Sequence, residues 1–176
     1  MTRQTVPTAD RTTRYTTVAS PLGPLLLVAD ADGALTALLA PDTKGQISAP
    51  DPDWQQDPAP FTTAAEQLVA YFDGELKAFD LPLAPRGSEF RRRVWDALDG
   101  IPYGETVSYG ELAAAAGQPP SAVRAVAGAV GANPLLIVRP CHRVIGANGS
   151  LTGFAAGLDA KRLLLRLEAA DRTLFG

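Results

Sequence analysis

Between Ser108 and Pro134 the chain is punctuated so closely that few local shapes fit it. Ser108-Tyr109-Gly110-Glu111 has the capping-box pattern, a hydroxyl residue followed three places later by glutamate. It predicts a short helix over 109–116. Gly117, Pro119 and Pro120 break that helix, since proline removes a backbone donor and glycine favours turns. Ser121 is then the expected cap of a second helix over 122–130, and Gly131-Ala132-Asn133-Pro134 ends it. Helix, short turn, helix is the shape of a helix-turn-helix unit. Its second helix is plain: from Ala122 to Gly131 the only charged residue is Arg124, and the rest are Ala, Val and Gly. A helix that reads bases from the major groove carries several polar readers. This one either packs into a core or lets a partner come close, and the residues alone leave both open.

Upstream, the periodicity changes. Arg14 to Ala19 is rich in β-branched and aromatic residues and predicts a strand. Pro21-Leu22-Gly23-Pro24 predicts a turn, Leu25 to Ala29 a buried strand, Asp30 to Gly33 a hairpin turn, and Ala34 to Leu39 the returning strand. Residues 40–60, with five prolines, are expected to form an irregular loop. Phe61, Ala64, Ala65, Leu68 and Phe72 follow helical spacing, and Asp73-Gly74 stops that helix. Leu76 to Pro85 is expected to be extended. Ser88 is a plausible cap for a helix over 89–98 with Phe90, Val94, Trp95 and Leu98 as its apolar stripe. Asp159 is the expected cap of a last helix bearing Leu163, Leu164, Leu167 and Glu168. Met1 to Thr13 is expected to be unstructured and has no apolar signal region. The fold class is therefore α+β. A small N-terminal α/β domain with an antiparallel sheet (1–85) is followed by a mainly α domain (86–176) carrying a winged helix-turn-helix.

One cysteine and one histidine occur in the chain, and they are neighbours: Pro140-Cys141-His142-Arg143. A thiol becomes a strong nucleophile as thiolate, and an imidazole in reach, directly or through a water, can take its proton. A buried structural thiol beside a surface histidine is the alternative. In a regular strand, adjacent side chains point to opposite faces, so cooperation needs a turn in the backbone or a bridging water.

At these residues the sequence resembles the O6-alkylguanine-DNA alkyltransferases. The resemblance rests on Asn133-Pro134, Pro140 to Ile145, Gly153-Phe154-Ala155-Ala156-Gly157-Leu158 and Lys161. It extends back through Phe90, Trp95, Ile101 to Thr106, Ser108-Tyr109 and Arg124-Ala125-Val126. It implies direct repair of DNA by irreversible, once-only transfer of an alkyl group from O6-alkylguanine, with O4-alkylthymine a second candidate, to Cys141. His142 would be the base through water, and Glu168 would orient and charge-balance it. Tyr109 would hydrogen-bond the guanine. Asn133 would tie the active-site turn to the second helix, and Val144 would offer its carbonyl to the base pocket. Phe154 and Ala155 would line that pocket. Ser121, Arg124, Ala125, Ala129 and Tyr109 would meet DNA, with the nucleotide flipped from the minor groove and Arg124 in the vacated stack. No metal or organic cofactor is implied. Phe154 stands where the family usually has tyrosine, Ala156 where glycine is usual, and Arg139 where an apolar residue is commoner.

Charge bears on the partner. Overall it is −3, but residues 1–85 hold 5 Lys/Arg against 11 Asp/Glu, while 86–176 hold 11 against 8. The basic half is the expected nucleic-acid face. No apolar run approaches a membrane span. A monomer is expected, in a reducing compartment such as the cytoplasm, because a lone reactive thiol needs one. Three other readings fit parts of the pattern. An alkyltransferase-like damage-binding protein would lack the cysteine. A plain winged-helix regulator would carry polar readers. A Cys-His-Glu hydrolase would turn over many times.

Overall fold

The computed structural model describes residues 13–173, with side chains to 169, so the expectation for Met1 to Thr13 lies almost wholly outside the described residues. Three strands form a meander: β1 (Arg14–Val18), β2 (Leu25–Ala29) and β3 (Leu35–Leu39). Tyr15 pairs opposite Val28, and Leu27 opposite Leu38, in antiparallel register. β2 is buried along its whole length, and its alternate residues Leu25, Leu27 and Ala29 join the main core, as a period of two requires.

The 40–60 segment differs from expectation. It contains β4 (Gln55–Gln56), which runs parallel beside β1 and completes the sheet order β3-β2-β1-β4. Two residues leave no periodic signal. What docks them is their flanks: Trp54 lies 6.4 Å from the Tyr15 ring, and Asp57 pairs with Arg14 at 3.6 Å. The 76–85 segment is extended, yet it makes only a bridge to β3 through Leu83. Leu35 N–H donates to Pro82 O, and Ala84 N–H donates to Leu35 O. Pro82 and Pro85 have no N–H with which to continue a ladder.

Helix α1 (Thr62–Phe72) follows a 3-10 turn over Ala59–Phe61. Its buried side is Ala64, Leu68 and Tyr71; Phe72 is half-buried, so the stripe is rotated from the expected one. α2 (Glu89–Leu98) starts at Ser88, whose hydroxyl accepts from Arg91 N–H at 3.2 Å. β5 (Val107–Ser108) leads into α3 (Tyr109–Ala115), capped by Ser108 through Glu111 N–H at 3.1 Å. Ser121 does not cap the next helix. Pro120–Ala122 form a 3-10 turn, Ala122 takes the cap position, and α4 covers Val123–Gly131. Pro120 presets the backbone for that tighter turn, which leaves Ser121 outside and exposed. Trp95 Nε1 donates to Ala129 O at 2.8 Å and locks α2 to α4.

β6 (Val144–Ile145) pairs parallel with β5, a small two-stranded sheet beside the helix-turn-helix, where a winged form was expected. The last helix, α5 (Leu158–Thr173), begins one residue before Asp159. That carboxylate sits in the first turn, where it meets the dipole favourably and pairs with Arg162 at 2.9 Å. The two halves share one core: Leu25, Leu38, Phe61 and Leu68 are continuous with Trp95, Leu112, Val126 and Leu164. β3 carries the seam. Its Leu38 N–H donates to Pro134 O, and Leu136 N–H donates to Leu38 O, so the N-terminal sheet grips the segment that leads to Cys141.

Candidate active site

The site is built on a tightly folded run from Asn133 to Arg143. The Asn133 side chain is its clamp: Oδ1 accepts from Leu135 N–H at 3.0 Å, and Nδ2 donates to Leu135 O and Arg139 O at 3.2 Å each. Inside the clamp, Val138 N–H donates to Leu136 O at 2.7 Å around Ile137, whose φ is +70°. That is the rare γ-turn, and a β-branched residue there is strained. Pro140 precedes a 3-10 turn over Cys141–Arg143. At 3.0 residues per turn, successive side chains point about 120° apart. The backbone turn that the adjacent pair required is therefore present: Cys141 lines a cavity, while His142 and Arg143 both reach Glu168.

Cys141 is buried and lines a cavity of about 130 Å³ together with Tyr109, Ala127, Val130, Gly131, Leu136, Gly153, Phe154 and Ala155. A roomier cleft of about 630 Å³, between residues 41–45 and the start of α5, has carboxylates but no thiol or imidazole. Burial pushes the Cys141 thiol up from its ordinary value; the Asn133 side chain and the Lys161 charge oppose this without cancelling it. The resting sulfur is a protonated thiol and needs a base.

His142 is fully buried, and its Nε2 is 2.7 Å from Glu168 Oε2. Glu168 is buried too, yet its carboxyl is held down at about 2. Burial alone would raise it; hydrogen bonds from His142, Arg143 and Tyr71 overcome that. An ionised carboxylate only accepts, so Nε2 carries the hydrogen and Nδ1 is left as the acceptor. Nδ1 has no hydrogen-bond partner among the described residues. Burial is also the main cause that lowers the histidine pKa, against the pull of Glu168, and the charges of Arg143 and Lys161 assist it. The imidazole is neutral and open on the nitrogen a base would use.

Three residues here carry roles that the sequence reading did not assign. Arg143 forks onto Glu168 (Nε to Oε1 2.8 Å, NH2 to Oε2 3.0 Å) and donates to Ile101 O. Lys161 is a fully buried lysine whose Nζ donates to Val144 O at 2.6 Å and Thr152 O at 3.0 Å. Tyr71, from α1, donates to Glu168 Oε2 at 2.6 Å. A signal existed for Lys161 and Glu168. With Leu164 they fall at i, i+3 and i+7 on α5, so the buried stripe of that helix runs through two charges.

The other expected residues divide. Tyr109 reaches the cavity, and its hydroxyl donates to Thr152 O at 3.1 Å. Phe154 and Ala155 line the cavity, while Ala156 is buried and borders the larger cleft instead. Asn133 stands behind the turn. Val144 does not line the cavity, and one lone pair of its carbonyl accepts from Lys161. On α4, Arg124, Ala125, Gly128 and Gly131 are exposed, as is Ser121 in the 3-10 turn before it. Ala129 is not on that face. It is buried, with its carbonyl taken by Trp95, where a DNA contact had been expected of it. A helix of 3.6 residues per turn puts 124, 125, 128 and 131 on one side and sends 129 inward. Arg139 is buried against Trp95 and forks onto Asp99 at 3.2 Å, which accounts for a charge at an otherwise apolar position.

Comparison with known proteins covers most of the chain. The family described as 6-O-methylguanine DNA methyltransferase, ribonuclease-like domain, matches residues 13–85; its DNA binding domain matches 89–170. A methylated-DNA–protein-cysteine methyltransferase of Methanosarcina acetivorans is 51% identical over 156 residues, 89% of this chain and 98% of its own. One of the same name from Mycolicibacterium paratuberculosis is 54% identical over 165 residues, 92% of this chain and 98% of its own. The crystal structure of Mycobacterium tuberculosis OGT in complex with DNA superposes with a TM-score of 0.81 at 48% identity, covering 93% of this chain and 99% of that one.

Proposed function

The chain belongs to the methylated-DNA–protein-cysteine methyltransferases, and on that premise we propose how its own residues carry out direct repair of alkylated DNA. The protein binds DNA and transfers the alkyl group of O6-alkylguanine to a cysteine of its own. A damage-binding protein without transfer is not favoured, because the thiol is present in a built site.

Cys141 is the acceptor. The observation that carries this is the Cys141 thiol lining a cavity, followed in the chain by His142, which Glu168 holds by Nε2 while Nδ1 has no partner among the described residues. The thiol proton passes to Nδ1 through a water. The thiolate attacks the alkyl carbon, the S–C bond forms and the C–O6 bond breaks. Guanine leaves with the electron pair, steadied by the Tyr109 phenol, and takes on its ring the proton that His142 received, which leaves the imidazole neutral again. The thioether has no route back, so each molecule acts once. Phe154 and Ala155 wall the base site, and Asn133 holds the turn that presents the sulfur.

DNA is met by the outer face of α4, where Arg124 and Ala125 lie with Gly128 and Gly131, and by Ser121 in the turn before it. Around both glycines the space is open, so nothing inside the protein requires the missing side chain. Room for a close external partner is the remaining reason, and the minor groove with a flipped nucleotide suits it. Arg124 takes the vacated position. This reading also divides the chain at residues 85 and 86, supported by the ranges of the two family matches. It takes the protein as a monomer, and places it in the cytoplasm, where a free thiol stays reduced. No helix among the described residues is long and apolar enough to cross a membrane.

The test is restoration of guanine. A duplex carrying O6-methylguanine, digested to nucleosides after incubation, should show one lesion repaired per protein molecule. Cys141→Ser should repair none while still binding the duplex. Repair beyond one equivalent, or repair by the serine variant, would remove Cys141 as a once-only acceptor.

A further inference from the structure

Tyr71 is a buried phenol that the transfer scheme leaves unused. It lies 97 residues from Glu168 in the chain, on a helix of the N-terminal half, and donates at 2.6 Å to Oε2. That is the same oxygen His142 Nε2 approaches at 2.7 Å. The phenol cannot serve as an acid or base near neutrality: burial, and then the Glu168 charge, push it far above its ordinary value. Its ring is fixed between Phe72, Phe79 and Tyr103, with centroids 5.3, 5.3 and 6.4 Å away. A donor so placed has one task, to load that carboxylate oxygen.

Loading it matters because a bare carboxylate against an imidazole favours the imidazolium. An imidazolium has no lone pair for a thiol proton. Each further donor disperses the carboxylate charge and weakens that pull. Glu168 already accepts twice from Arg143 and weakly from Gly104 N–H at 3.4 Å. The charged and titratable groups facing His142 are Glu168, Arg143, Lys161 and Cys141. Those around Tyr71 are Glu168, Arg143 and Tyr103, with Lys77 over the Tyr103 ring.

We propose that Tyr71 is a positioning residue for alkyl transfer. By donating to the oxygen that holds His142, it keeps Glu168 satisfied as an anion and His142 neutral, with Nδ1 free to take the thiol proton. The proposal rests on the alkyl-transfer reading of Cys141 and His142. It makes the N-terminal half a participant in proton transfer at the site.

His142 is the only histidine, so the imidazole nitrogen spectrum of ¹⁵N-histidine-labelled protein reports this residue alone. Tyr71→Phe keeps the ring and removes the donor. In that variant the imidazole midpoint should rise by about half a pH unit or more relative to the parent. The acid limb of the single-turnover rate on O6-methylguanine duplex should rise with it, and the rate at high pH should be kept. Coincident titrations, or a lower high-pH rate with an unmoved midpoint, would overturn the proposal and leave Tyr71 a packing residue. Should Tyr71→Phe fail to fold, 3-fluorotyrosine at position 71, a stronger donor of nearly the same shape, must move the midpoint down. No movement, or an upward one, overturns the proposal equally. A parent protein that never takes a methyl group would instead sink the transfer reading, and the imidazole titration separates the two failures.

Discussion

At the scale of single residues, the site is a set of buried charges that only make sense together. Glu168 and His142 are both held below their ordinary values, so the unfolded chain binds more protons than the folded one as acid is added. Stability must therefore rise with pH through this window. The His142 contribution is complete above its unfolded value, about 6.5, and falls away below it. The Glu168 contribution is lost between its unfolded value and about 2. Urea midpoints should be lower at about pH 5.5 than at about pH 7.5, the range in which the unfolded histidine titrates. A midpoint that is flat, or higher in acid, would mean that His142 is charged in the folded state. Cys141 works the other way. Its raised value means stability is lost as the unfolded thiol ionises above its ordinary value.

Much of this site was legible from the sequence, and the limit is physical. The pairing of the lone cysteine with the lone histidine marked the centre, and the ordered string after Asn133 marked its neighbours. Tyr71 was not legible, because its partner lies in another half of the chain and a tyrosine on a helical stripe reads as core. Arg143 was visible only as part of a motif. Its fork onto Glu168 depends on the 3-10 turn, which spacing does not reveal.

At the scale of elements, α4 is the telling one. Its periodicity gave a helix, but composition alone could not say which side was inside. The structure buries Val126, Ala129 and Val130 and turns Arg124, Ala125, Gly128 and Gly131 outward. Ser121 was misread because a serine before a helix is the commonest cap signal, and the neighbouring Pro120 overrode it. Gly128→Ala should stabilise the protein by roughly 0.5–1 kcal/mol, since the site is open and helical. Gly128→Leu should fold as well but lose duplex repair at least tenfold, with reaction toward free O6-methylguanine retained. Unchanged duplex repair by the leucine variant would take α4 out of the DNA interface. Arg124→Ala should show the same split between duplex and free base, and equal losses on both would remove its place in the stack.

At the scale of the whole molecule, the two halves are joined through β3, the shared core and the Tyr71 hydroxyl. The sequence suggested separate domains because composition and charge change near residue 85. What it could not show was that the edge of the N-terminal sheet is closed by Leu135, just ahead of the nucleophile. A shared core predicts one cooperative transition. The two tryptophans fall one in each half, Trp54 and Trp95. In Trp95→Phe, where Trp54 reports on the N-terminal half, fluorescence and far-UV circular dichroism should give the same urea midpoint. An earlier fluorescence transition would show the halves unfolding apart.

The central claim is that Cys141 accepts the alkyl group and keeps it. Intact mass after incubation with excess duplex carrying O6-methylguanine tests it most directly. The account predicts a gain of one methylene equivalent, mapped by peptide analysis to Cys141 and saturating at one per molecule. An unchanged mass with the lesion repaired would mean turnover, and a methyl group found on any other residue would mean a different acceptor; either result contradicts it.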